Sequence, residues 1–131
     1  MTGIDSNVFI YILERHPQFF EPSMAALKSA LARNGQVCLP TLVITEILSG
    51  TEDKAALRFF ERDSFRFHEL TREIATVAGE LRFARPSLKT ADSIHLATAL
   101  AAGANRFITN DNKLCKLTVG LDIVPLSSFA A

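Results

Sequence analysis

Asp5, Glu46, Asp92 and Asp111 are the residues of this chain whose types and settings could do chemistry. Each follows or lies inside an apolar run: Gly-Ile-Asp5, Leu-Val-Ile-Thr-Glu46, Ala-Asp92-Ser-Ile and Phe-Ile-Thr-Asn-Asp111. A carboxylate so close to apolar sequence faces desolvation, which is costly unless the charge is paired or bound to a metal. If the fold gathers all four, like charges at close range cannot all stay ionised without a cation. Oxygen-only ligands of this kind suit Mg2+ or Mn2+, not zinc. The alternative is that the acids are scattered over the surface.

Something must position them, and length and composition bound what that is. The 131 residues are enough for one domain with a real core, so a single domain over 1–131 is expected. Nearly half the residues are apolar, which excludes a disordered chain. No apolar stretch reaches the length needed to span a bilayer, so no membrane is implied. The N-terminus carries neither a basic region nor a small-residue cleavage site, so no secretion signal is expected. Cys38 and Cys115 are the only cysteines and lie far apart, which suits a reducing cytoplasm better than a disulfide framework. The formal net charge is zero, so bulk charge alone cannot hold the protein on nucleic acid. A local basic patch would have to do so.

The hydrophobic pattern alternates strands and helices. A short buried strand ends at Ile4, and a helix runs from Val8 to Arg15. Pro22 opens a second helix that Asn34-Gly35 closes. Gln36 to Leu39 is a strand. A helix carrying Glu46 begins at Pro40 or Thr41 and ends near Ser49-Gly50, and another spans Asp53 to Arg62. Ser64 to Leu70 reads as a strand, and Thr71 caps a helix to about Phe83. Thr90 is the expected N-cap of a helix over Ala91 to Ala102, with Gly103 closing it. Arg106 to Thr109 and Leu121 to Val124 are strands, the last stopped by Pro125. This alternation implies an α/β fold: a parallel sheet of about four to five strands with helices on both faces.

On that scaffold Asp5 and Asp111 end strands, while Glu46 and Asp92 lie near the starts of helices. Ligands of open parallel sheets bind outside the C-terminal strand ends. With right-handed crossovers, all four acids reach that one edge. Each acid also has a structural explanation on its own. Asp92 can complement a helix dipole, Asp111 can make a turn, Asp5 can cap a helix, and Glu46 can be a solvated face residue. Their meeting on one edge, with no basic residue adjacent to Asp5, Glu46 or Asp92, makes four separate explanations less economical than a shared one.

The pieces Ile-Asp5-Ser-Asn-Val-Phe-Ile, Thr45-Glu46-Ile-Leu, Ala91-Asp92-Ser-Ile-His-Leu-Ala-Thr-Ala and Phe107-Ile-Thr109-Asn-Asp111 occur in this order. In order and spacing, from residue 3 to about 125, the chain resembles PIN-domain proteins, in particular VapC-type toxins of toxin–antitoxin pairs. The resemblance implies a Mg2+- or Mn2+-dependent endoribonuclease acting on single-stranded RNA, with no organic cofactor. It places the acidic site on Asp5, Glu46, Asp92 and Asp111, with Asn7 and Thr109 as polar neighbours. It also implies a cognate antitoxin partner and a homodimer. The very short first strand and Asn112 depart from the family pattern without touching the acids.

A bound ion lowers the pKa of its water and neutralises phosphate oxygens. Asp5 and Asp92 are expected as direct ligands, and Asp111 as a ligand through water or to a second ion. Glu46 completes the shell or orients the attacking water. Arg82, Arg85, Lys89, Lys113 and Lys116 flank Asp92 and Asp111 in sequence and are candidates for contact with the RNA backbone. The other explanation is that Arg82 and Arg85 serve a helix C-terminus and the lysines are solvated. His95 reads as a packed core or interface histidine rather than a ligand. Of the ten phenylalanines, some could line an apolar groove for a partner, although a core role explains most. Two other functions stay open: a haloacid-dehalogenase-like phosphatase with Asp5 as nucleophile, weakened by Asn7 where an acid is needed, and a catalytically silent partner-binding domain.

Overall fold

The computed structural model describes residues 1–130. The five strands are β1 (Thr2–Ile4), β2 (Val37–Pro40), β3 (Phe65–His68), β4 (Arg106–Thr109) and β5 (Asp122–Pro125). They form one sheet in the order β3-β2-β1-β4-β5, and every neighbouring pair is parallel. The helices are α1 (Ser6–Glu14), α2 (Phe20–Leu31), α3 (Leu42–Leu48), α4 (Arg72–Ala84) and α5 (Thr90–Ala101).

Alternation along the strands divides the core into two layers. Ile4, Val37, Leu39, Phe65 and Ile108 face α1, α2 and α3, where they meet Val8, Phe9, Leu27 and Val43. Cys38 and Phe107 face the other way, toward Leu96 and Ala99 of α5. Helix α4 packs on α5 through Ile74, Ala78 and Ala97. Helices thus cover both faces, as parallel sheets require.

Two local rules read from the sequence hold in detail. The Thr71 hydroxyl accepts the Ile74 N–H at 3.1 Å, the expected cap of α4. Gly103 follows α5 with φ +74°, a left-handed conformation that glycine adopts without a Cβ penalty. Two expectations change. Asp53 to Arg62 is not an α-helix but a 3-10 segment over Lys54–Phe60, with Asp53 accepting the Ala55 N–H. So short a segment gains little from α-helix propagation, and its end is drawn into aromatic packing. Phe9 meets Phe60 edge-on at 5.1 Å, and both Phe59 and Phe60 pack on Phe65. Thr90 is the first residue of α5 rather than its cap; Lys89 holds the cap position with no side-chain hydrogen bond. Nine of the ten phenylalanines are buried in the core or packed against it, and Phe83 is the exception at 90 % exposed.

Gly3 decides how closely α5 approaches the central strand. A Cβ there would lie 2.9 Å from Cδ1 of Phe107 and 3.0 Å from Cβ of Ala99. Only glycine lets the helix that carries Asp92 sit this near the strand that ends at Asp5.

Candidate active site

The chain builds β1, β2 and β3 outward on one side, then crosses to β4 and β5 on the other. The order reverses between β1 and β4, and such a switch point opens a crevice at the strand C-termini. The pairing Ile4↔Ile108 sets Asp5 beside Thr109.

Asp5 stands at the N-cap of α1, yet its carboxylate caps nothing. Its Oδ2 instead accepts the Thr109 hydroxyl at 2.9 Å, and the residue is only 4 % exposed. The Thr109 oxygen also accepts the Asp111 N–H at 3.0 Å. One buried hydroxyl therefore fixes two of the acids. Asp111 does make a turn, its Oδ1 accepting the Lys113 N–H at 2.9 Å.

Asp92 lies in the first turn of α5. Burial pushes its carboxyl above the ordinary range, and the charges of Asp5 and Asp111 push the same way. His95 and Lys89 oppose this without cancelling it. Asp5, Asp92 and Asp111 therefore share one field, as residues on a common edge should. Asp92 and Asp111 line a cleft of about 190 Å3 together with Arg85, Lys89 and Lys113.

Glu46 is anchored by a different partner. Its Oε1 is 2.7 Å from Nε2 of His95, a residue 2 % exposed. Partial burial pushes the Glu46 carboxyl up, but the His95 ring and, to a lesser degree, the Ser6 hydroxyl outweigh it and hold the group below its ordinary value. Glu46 opens onto a different groove, about 400 Å3, shared with Ile10, Leu13, Glu14, Ile47 and Asp53. The link to His95 was not legible in the sequence, because the partners are 49 positions apart. The only signal is a histidine one turn after Asp92 within a largely apolar helix.

The remaining expected residues divide. Arg85, Lys89 and Lys113 border the cleft. The Arg82 Nε donates to the Leu88 carbonyl at 2.8 Å and so ties down the α4–α5 loop. Lys116 is exposed at the end of a short 3-10 turn and does not border the cleft. Asn7 is exposed in the first turn of α1 and makes no side-chain hydrogen bond among the described residues. Burial pushes the Cys38 thiol up to about 11, which makes it a packed, unreactive group.

Among the described residues, no three His, Cys, Asp or Glu side chains converge tightly enough to enclose an ion. Mg2+ does not demand such a cage; it keeps several waters and is held by one or two carboxylates. The aspartates offer the oxygen-only donor set that such an ion takes.

A PIN domain family profile matches residues 4–119. The chain belongs to the PIN domain family. Its α/β fold is that of solved PIN-type toxin structures along nearly its whole length. A toxin–antitoxin complex from Klebsiella pneumoniae is similar at TM-score 0.76 and 20 % identity, over 96 % of this chain and 98 % of that one. VapBC2 from Rickettsia felis, bound to a DNA fragment from its promoter, is similar at 0.71 and 18 %, over 95 % and 97 %. FitAcB from Neisseria gonorrhoeae is similar at 0.67 and 17 %, over 96 % and 98 %. At these identities the likeness is one of fold. No curated protein matches the sequence significantly. PIN domains are generally nucleases. No helix among the described residues of this PIN domain is long and apolar enough to cross a membrane.

Proposed function

We propose that this PIN domain is the toxin of a toxin–antitoxin pair, a Mg2+- or Mn2+-dependent endoribonuclease that cleaves single-stranded RNA in the cytoplasm. The observation that carries the reading is the setting of Asp92. It is pushed up by burial and by Asp5 and Asp111, beside a cleft bordered by Arg85, Lys89 and Lys113. Negative charge for a cation and positive charge for a phosphate backbone lie side by side, as metal-assisted phosphodiester cleavage needs.

When bound, such an ion supplies an activated water and neutralises the non-bridging phosphate oxygens. Asp5, held by Thr109, and Asp92, on the first turn of α5, are the residues that would hold it. Asp111 would hold it through water or serve a second ion. Glu46 would orient the attacking water or complete the shell. Arg85, Lys89 and Lys113 position the backbone of the RNA; Lys116 and Arg82, outside the cleft, contribute charge at longer range.

The similar toxin–antitoxin complexes support an antitoxin as partner. The groove between α1 and α3, apolar on Ile10, Leu13 and Ile47 and acidic on Glu14 and Asp53, gives it a surface of suitable chemistry. A homodimer belongs to the same reading, with the exposed ring of Phe83 free to join an interface. The phosphatase alternative is poorly supported. Asp5 is buried and tied to Thr109, and the residue two positions on is the exposed Asn7.

The test is incubation of the purified protein with single-stranded RNA, with Mg2+ or with EDTA. Cleavage in Mg2+ that is lost in EDTA and in Asp5→Asn is the expected result. An inert wild type supports the silent-domain alternative, and cleavage that survives both changes removes the metal site.

A further inference from the structure

We propose that His95 is a positioning residue that fixes Glu46 for catalysis, an inference that rests on the nuclease reading of the site. His95 sits on α5 one turn beyond Asp92, and Glu46 sits on α3. The bond between them, 2.7 Å from Nε2 to Oε1, ties the helix carrying one aspartate to the carboxylate of another helix. The Ser6 hydroxyl, on the residue directly after Asp5, also favours the ionised Glu46 carboxylate. Glu46 is thus held by the residue one turn after one aspartate and favoured as a carboxylate by the residue after another.

Packing alone does not explain a histidine here. The ring is 2 % exposed between Ile94 and Leu96, close to Phe107, and its Nδ1 is buried with no hydrogen-bond partner. A buried polar atom left unpaired is unfavourable, and apolar groups of similar shape often replace a hydrogen-bonded pair at little cost to stability. Leucine would fill this place without the orphaned nitrogen. What leucine could not do is hold Glu46, which is still 30 % exposed and would otherwise sample solvent-directed rotamers. Residues that orient a carboxylate beside a metal typically change affinity or activity by about 10–100-fold.

The geometry of the bond gives a discriminating test, because glutamine carries a donor near the place of Nε2 and asparagine carries one near the place of Nδ1. His95→Leu and His95→Asn are expected to lower kcat on single-stranded RNA by about 10–100-fold with KM nearly unchanged. His95→Gln is expected to recover most of that loss. His95→Leu added to Glu46→Ala is expected to do no further harm, since the two act as one unit. Melting curves of all variants separate these effects from unfolding. Independently of activity, the 15N resonance of His95 Nε2 is expected to move in Glu46→Ala. An active wild type whose His95→Leu variant keeps full kcat overturns the positioning role, as does an unmoved resonance, or equal losses in Gln, Asn and Leu that track melting temperature. An inactive wild type overturns the nuclease reading itself, so the two failures are distinguishable.

Discussion

The hydroxyl of Thr109 donates to Oδ2 of Asp5 across 2.9 Å, in a place where Thr109 is wholly buried. The register of β1 against β4 makes this hydrogen bond, since Asp5 and Thr109 directly follow the paired Ile4 and Ile108. Valine has the shape of threonine and no donor. Thr109→Val should therefore leave a buried carboxylate short of a partner and cost about 1–3 kcal/mol in urea unfolding. Mn2+ affinity should fall by about 10–100-fold, because Asp5 is no longer held in its orientation. Unchanged affinity in calorimetry would show that Thr109 serves only the fold.

Asp92 makes a prediction with a definite sign. Its folded-state pKa is raised above 3.8, so the native protein holds this proton more tightly than the unfolded chain. The stability contributed by the protonated form is present below the unfolded value and is lost as pH rises through the folded one. At neutral pH and without divalent ions, Asp92→Asn should melt above the wild type, and the gap should close on acidification. Added Mn2+ should reverse the order by stabilising the wild type, by about 2.7 kcal/mol at a hundred times Kd. A variant that melts below the wild type in EDTA would contradict the repulsion.

The distinction between what was and was not legible in the sequence is physical. Strand β4 spans Arg106–Thr109 as its apolar run indicates, and Thr71 caps α4, because such signals are local. The expectation that four acids share one edge rested on strand–helix alternation and right-handed crossovers, and Asp92 does feel the charges of Asp5 and Asp111. Lys54–Phe60 departed from the α-helical reading because aromatic packing on Phe9 and Phe65 overrides a short segment's own preference. The bond of Glu46 to His95 could not be read, since its partner lies 49 positions away on another helix.

Lys89 and Lys113 border the cleft beside the aspartates, whereas Lys116 does not. Lys89→Ala with Lys113→Ala should weaken single-stranded RNA binding. It should also flatten the plot of log K against log salt by roughly 0.7 for each phosphate no longer neutralised. Lys116→Ala should change the slope less. Equal effects of all three lysines would point to diffuse attraction rather than a defined path.

Gly3 couples the fold to the site. In Gly3→Ala the new methyl group meets Phe107 and Ala99 at about 3 Å, so the Phe107 ring and α5 must give way. Overpacking of this kind costs about 1–3 kcal/mol. Activity should fall further than stability explains, because α5 carries Asp92 and His95. Denaturant unfolding and cleavage assays on the same preparation compare the two effects.

Use of a divalent ion by the aspartate edge to cut RNA is tested most directly by titrating Mn2+ into the metal-free protein while following single-stranded RNA cleavage and ion binding on the same sample. Cleavage should rise with site occupancy in the wild type, and Asp92→Asn should lose binding and cleavage together. Cleavage at the full rate in metal-free wild type, or in an Asp92→Asn variant that binds no ion, would contradict a metal-dependent site.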